Sequence, residues 1–154
     1  MTQLYCLKQE QTLNIPIDQA WQFFSNPYNL GEITPPQMGF KITNEANALS
    51  YEGQIISYQI GILPFITTTW VTEVKGLQLH RQFVDEQRFG PYAFWHHHHC
   101  FESLDGAVRM TDEVHYVMPF GLIGRLVHFL YVGRKLKSIF EFRRKVLAQR
   151  FGEP

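Results

Sequence analysis

The spacing of hydrophobic residues changes character along this chain, and each change marks an element. Leu4 to Leu13 is mixed in pattern but has the length of a strand, and Pro16 breaks it. Asp18 can then cap a short helix through Ser25, with Trp21, Phe23 and Phe24 as its apolar face, which Asn26-Pro27 stops. A second helical turn near Leu30 to Ile33 ends at Thr34-Pro35-Pro36. From Met38 to Met118 the pattern is strands and turns. Gly39–Thr43, Gly53–Ile60, Phe65–Val74, Leu77–Glu86, Ala93–Glu102 and Ala107–Met118 read as six strands. Between them, Asn44 to Asn47, Gly61 to Pro64, Lys75-Gly76, Phe89 to Pro91 and Asp105-Gly106 have turn chemistry. Spacers this short pair neighbouring strands as antiparallel hairpins.

After Pro119 the period becomes helical. Leu122, Leu126, Phe129, Gly133, Leu136, Phe140 and Leu147 recur at three- and four-residue intervals, with Arg and Lys between them. The spacing predicts one helix of about 28 residues, on the order of 40 Å long, entered at Phe120-Gly121 and ended by Gly152. Gly133 is a poor helix residue, so a close approach is expected there. The fold class is therefore α+β: a seven-stranded curved antiparallel sheet, two short helices after the first strand, and a long C-terminal helix. One helix cannot fill the concavity of a strongly curved sheet, and the short helices can close one end. A cavity between sheet and helix follows, the usual setting for a ligand. The length of 154 residues suits a single domain over 1–154.

The segment Trp95-His96-His97-His98-His99-Cys100-Phe101 lies within a strand, where alternate residues share a face. The next strand sets which face is inside, because Val108, Met110, Val114, Tyr116 and Met118 form an apolar set that includes Asp112. A two-residue turn at Asp105-Gly106 pairs Phe101 with Met110, His99 with Asp112, His97 with Val114 and Trp95 with Tyr116. Phe83 places its own alternation inward too, adding Asp85 and Arg81 to the polar group. Buried ionisable groups are costly unless paired, and here partners are at hand.

The string Phe83-x-Asp85-x-Gln87-x-x-Gly90-Pro91-Tyr92-x-x-Trp95-x-His97-x-His99-x-Phe101, followed by Met110-x-Asp112-x-Val114-x-Tyr116-x-x-Pro119-Phe120-Gly121, resembles the SRPBCC ligand-binding superfamily. So does the opening Ile15-Pro16-x4-Trp21-x-Phe23-Phe24-x-x-Pro27-x-x-Leu30-x-x-Ile33-Thr34-Pro35. That superfamily includes START lipid-binding domains, polyketide cyclase-like proteins and plant pathogenesis-related allergens. The similarity is strongest to a bacterial branch related to so-called cell-division inhibitors, some with sugar-nucleotide epimerase labels. The resemblance covers nearly the whole chain and implies the helix-grip fold, a sheet wrapped around the C-terminal helix over a deep pocket. It implies no particular reaction, since the fold hosts binders, transporters and enzymes.

The expected function is binding of a small hydrophobic or amphipathic molecule. Tyr58, Trp70, Phe83, Trp95, Phe101, Tyr116 and Phe129 would supply apolar walls, and Asp85, His97, His99 and Asp112 a polar end. The alternative is an enzyme of cyclase, dehydratase or epimerase type, with His99 as general base, Asp112 as its orienting carboxylate and His97 as a further candidate. His97, His99 and Asp112 could also chelate zinc, but hydrogen bonding explains them more simply, and neither metal nor cofactor is expected.

Composition and charge refine this only a little. An aromatic content of 15% is enough to line a cavity as well as fill a core. From Gly121 onward eight basic residues stand against two acidic ones, while the remainder carries six against twelve. We read this as a solvated basic helix face against an acidic sheet, with neither nucleic acid nor stable membrane association expected. Cys6 and Cys100 are expected as buried free thiols. Met1 to Tyr5 has no basic stretch leading into an apolar one, so no secretory signal is expected and a cytoplasmic location is. No feature of the sequence sets an oligomeric state.

Overall fold

The computed structural model describes residues 2–154. Seven strands, β1 (Leu4–Leu13), β2 (Lys41–Ile42), β3 (Ile55–Leu63), β4 (Ile66–Gln78), β5 (Gln82–Phe89), β6 (Phe94–Ser103) and β7 (Val108–Val117), form one antiparallel sheet. The strand order is β1-β7-β6-β5-β4-β3-β2, so β2 to β7 make a meander and β1 crosses to pair with β7. Helix α1 (Ile17–Phe24) and 3-10 segments at Pro27–Ile33 and Pro36–Met38 join β1 to β2. A continuous helix, α2 (Gly121–Val127), a π turn (His128–Val132) and α3 (Gly133–Phe151), follows β7. Among the described residues no helix is long and apolar enough to cross a membrane.

Strand alternation sets the inner face as expected. On β7, Val108, Met110, Asp112, Val114 and Tyr116 are buried and their neighbours half-buried. The β6–β7 turn holds the expected register: Gly106 takes a left-handed φ of 71°, and Leu104 N–H donates to Ala107 C=O at 2.8 Å. Helix α3 lies against this face through Leu136, Phe140, Arg143 and Leu147. Two inward glutamines of β1 tie it down, Gln9 donating to Phe140 C=O at 3.3 Å and Gln11 to Arg144 C=O at 2.9 Å.

Several expectations are corrected. Lys75-Gly76 is not a turn. Gly76 takes a φ of 58° inside β4 and makes a bulge, and the Glu52 carboxylate accepts from Gly76 N and Leu77 N, so the strand continues. The chain reverses instead at Leu79-His80, which leaves Arg81 exposed at the corner rather than in the polar group. Pro16, not Asp18, occupies the N-cap of α1; Asp18 lies in the first turn and pairs with His80. Cys6 is exposed and Cys100 half-buried, both free thiols.

The largest correction concerns the long helix. It spans 31 residues, and Leu122, Leu126 and Phe129 face outward, at 77%, 58% and 74% exposure. The π turn is the reason. Its extra residue rotates everything upstream of it by about 100° relative to a straight α-helix. The inner positions of the N-terminal half are consequently Gly124, Val127, Tyr131 and Val132. Ile123 and Leu130 join the outward set, so the basic solvated face expected of the whole helix is interrupted by apolar side chains.

Gly133 does meet a close approach, from its own helix. The His128 ring folds back over it, and a Cβ at Gly133 would lie 3.1 Å from His128 Cε1. That ring stacks on Tyr5 at 3.6 Å and its Nε2 lies 2.7 Å from the Tyr116 hydroxyl, joining helix to sheet. Gly133→Ala should therefore lower the unfolding midpoint in denaturant. In a His128→Ala background the same change should add about 1 kcal/mol, the ordinary helical preference for alanine. Equal stabilisation in both backgrounds would contradict this account.

Candidate functional site

Three neighbouring strands bring four ionisable side chains together on the inner face. The β5–β6 register sets Asp85 across from His97 and Phe83 across from His99, while β6–β7 sets His99 across from Asp112. The side chains then connect diagonally. His97 Nε2 lies 2.8 Å from Asp112 Oδ1, His99 Nδ1 lies 3.0 Å from the same oxygen, and His99 Nε2 lies 2.7 Å from Asp85 Oδ2. A single chain results: His97–Asp112–His99–Asp85. Asp85 is the least buried member, and what its carboxylate faces is the cavity.

Ionised carboxylates only accept hydrogen bonds, so a histidine between two of them must carry both ring protons. Burial alone would lower the basicity of His99. Its hydrogen bonds to Asp112 and Asp85, with their charges, outweigh this and raise its pKa to about 9. His97 goes the other way. Burial, with the positive His99 ring only 3.8 Å away, lowers it to about 4 despite the Asp112 contact. Burial would raise Asp112, but the His97 and His99 hydrogen bonds hold it well below the usual carboxylate range; Asp85 is also lowered, its hydrogen bond to His99 and the charges of His99 and His97 outweighing burial. Near neutral pH the chain holds one imidazolium, one neutral imidazole and two carboxylates. His99 accordingly has no lone pair with which to act as the general base expected of it.

An apolar cavity of about 310 Å³ lies between this cluster and the helix, within the ordinary range for small-molecule sites. Its aromatic wall interlocks: Trp70 meets Trp95 edge-on at 5.1 Å and Tyr58 in a stack at 5.9 Å, while Tyr92 lies against Trp95 at 4.8 Å. Phe83 stacks on His99 at 4.3 Å, so the apolar wall grades into the polar end. Gln87 fixes Tyr92 by bonding both its N–H and its C=O. Leu63 and Val127 line the cavity yet remain partly exposed, which marks the mouth between the β3–β4 hairpin and the helix.

Of the residues expected at the site, Tyr58, Trp70, Phe83, Asp85, Trp95, His97, His99 and Asp112 line the cavity. Phe101 and Tyr116 do not; both pack in the core beside it. Phe129 is a surface residue, carried outward by the π turn. Tyr92, Tyr131, Phe140 and Arg143 line the cavity and were not expected. Arg143 had a legible signal. It occupies the one inner position between Phe140 and Leu147 where the helical spacing calls for an apolar residue. For a metal, Asp85, His97 and His99 offer ligand atoms within 4.8 Å of one another, a set with Asp85 where Asp112 was expected. Internal hydrogen bonds already engage them.

No family model matches the chain, and no curated protein is similar to it in sequence at a significant level. Solved structures are similar in fold. The aromatase/cyclase ZhuI from Streptomyces sp. R1128 is 12% identical with a TM-score of 0.68, and 96% of each chain is covered. Norcoclaurine synthase from Thalictrum flavum, in complex with dopamine and hydroxybenzaldehyde, is 12% identical with a TM-score of 0.65, covering 97% of this chain and 89% of that one. Ara h 8.0201 is 15% identical with a TM-score of 0.59, covering 96% of this chain and all of the other. The chain has the helix-grip fold of Bet v 1/SRPBCC-like proteins.

The His99 shift has a stability consequence of fixed sign. A pKa of about 9, above the ordinary 6.5, means the folded state holds a proton the unfolded chain releases. This contribution is complete below pH 6.5 and is lost as pH rises through 9. Unfolding free energy should therefore fall across that window by an amount on the order of a few kcal/mol. His99→Gln should remove most of that slope while lowering stability at pH 6. A slope that survives in His99→Gln would place the proton elsewhere.

Proposed function

We propose that this chain, as one domain over 1–154, binds a small hydrophobic or amphipathic molecule in the cavity between sheet and C-terminal helix. The observation that carries the reading is an apolar, aromatic-walled cavity ending in an internally satisfied polar cluster. A protein with no ligand to hold would gain stability by filling such a space, because unfilled volume forfeits dispersion contacts. The fold relatives include an aromatase/cyclase and a synthase seen with two small aromatic molecules, which supports an aromatic or similarly flat occupant. Membership of the bacterial branch related to cell-division inhibitors, and a cytoplasmic location, belong to the same proposal on the strength of the sequence motifs.

A second reading, catalysis of cyclase, dehydratase or epimerase type, is favoured by His97. Held by Asp112 through Nε2 and neutral near pH 7, it keeps its Nδ1 lone pair for a substrate proton. Native mass spectrometry separates the readings. A co-purifying molecule of the same mass in wild type and His97→Gln supports binding alone. A different, substrate-related mass in the variant supports turnover.

Binding itself is tested with the uncharged fluorescent probe phenylnaphthylamine. We expect saturable one-to-one binding to the folded protein. Trp95→Ala should weaken it about tenfold, as loss of a central aromatic contact does, and Phe129→Ala, at the surface, should leave it unchanged. Fluorescence that appears only on partial unfolding would contradict a preformed cavity.

A further inference from the structure

Among the described residues, four buried side-chain atoms lack a hydrogen-bond partner: Ser25 Oγ, Gln54 Oε1, Trp70 Nε1 and Arg143 Nε. Two of them belong to cavity-lining residues, and both of those are donors. Arg143 is the more informative. It is 8% exposed, on the inner stripe of α3, with its guanidinium carbon 4.9 Å from the centre of the Phe140 ring. Phe140 in turn packs against His97, so the guanidinium stands at the polar end of the cavity.

A guanidinium carries five N–H donors and no acceptor, and burying it without a partner is expensive. The nearby carboxylates make no hydrogen bond or ion pair with it among the described residues, although its charge helps to lower Asp85. Asp85 is engaged by His99, and Asp112 by both His97 and His99. Among the described residues Arg143 forms neither an ion pair nor a hydrogen bond. The contrast with Arg144 is direct: one residue on, that side chain reaches the surface and bonds Glu10 C=O and Glu153. At position 143 the helix needs an apolar residue and has a cation facing the cavity.

We propose that Arg143 recognises an anionic oxygen group on the ligand, which makes that ligand an amphipathic acid bearing a carboxylate or comparable oxyanion. The proposal rests on the ligand-binding reading above and specifies its chemistry. The acid group enters first and meets the planar guanidinium fork, where charge-assisted hydrogen bonds in a dry site are strongest. The apolar body then lies along Tyr58, Tyr92 and Trp95, pointing toward the mouth. The charges of Asp85, Asp112, His99 and Arg143 sum to zero near neutral pH, so a bare inorganic anion gains little. Selectivity comes from unmet donors joined to an apolar cavity.

The test is a matched pair of probes, anilinonaphthalene sulfonate and its uncharged parent phenylnaphthylamine. Each is titrated into wild type and Arg143→Met at equal ionic strength, and only the site at which the two displace each other is counted. Arg143→Met should weaken the sulfonate about tenfold or more, the scale of one lost charge-assisted contact. It should leave the uncharged probe within about twofold. Without ligand, Arg143→Met should unfold at the same or a higher temperature, since an apolar side chain replaces a buried, unpartnered charge. Equal affinities of both probes in both proteins would overturn the proposal. So would a strongly destabilised Arg143→Met, which would make Arg143 a structural element. If wild type binds neither probe, the cavity reading itself fails, and the recognition of an acid fails with it.

Discussion

The position of His99 between two carboxylates is the contact on which the rest of this site depends. It joins β5 to β7 across β6. A one-residue slip in β6 would present His96 and His98 in their place but would turn Trp95 and Phe101 to the outer face, so the flanking aromatics select which two histidines of the run face Asp85 and Asp112. The pairing also fixes charge. It keeps His99 protonated, and burial together with that charge beside the ring keeps His97 neutral. It turns one oxygen of each aspartate to the histidines, and among the described residues neither carboxylate bonds Arg143.

Much of this was legible because strands are simple to read. Alternation on β7 and the Asp105-Gly106 turn together determine that His99 faces Asp112, and the cross-strand pairing follows that arithmetic. The same alternation identified Asp85 through Phe83. It did not reveal that His97 reaches Asp112 along the diagonal, because side-chain direction is set by packing against Phe140 and Trp95 rather than by register. The Lys75-Gly76 error shows a limit of turn chemistry. A glycine with positive φ serves a bulge as well as a turn, and the choice was made by Glu52, more than twenty residues away.

The helix was harder, since periodicity assumes an unbroken 3.6-residue repeat. A π turn violates that assumption and moves Phe129 from the inner stripe to the surface. Gly133 was the visible mark of the irregularity, making room for the His128 ring that bonds Tyr116. Arg143 shows the opposite case, in which the period held and the residue type broke the rule. Local departures of this kind concentrate where a protein serves something other than its own stability.

The fold accounts for the cavity as a matter of geometry. The sheet closes over a helix too narrow to fill it, aromatic side chains brace the walls, and the polar chain closes the inner end without drawing on outside groups. The central claim is that this chain is self-satisfied, with the proton shared out unequally between its two histidines. Imidazole ¹⁵N NMR near pH 7.5 tests it most directly. The account predicts two protonated, slowly exchanging nitrogens on His99 and a neutral His97 protonated only at Nε2. A neutral His99, or two histidines titrating together near their ordinary pKa, would contradict it.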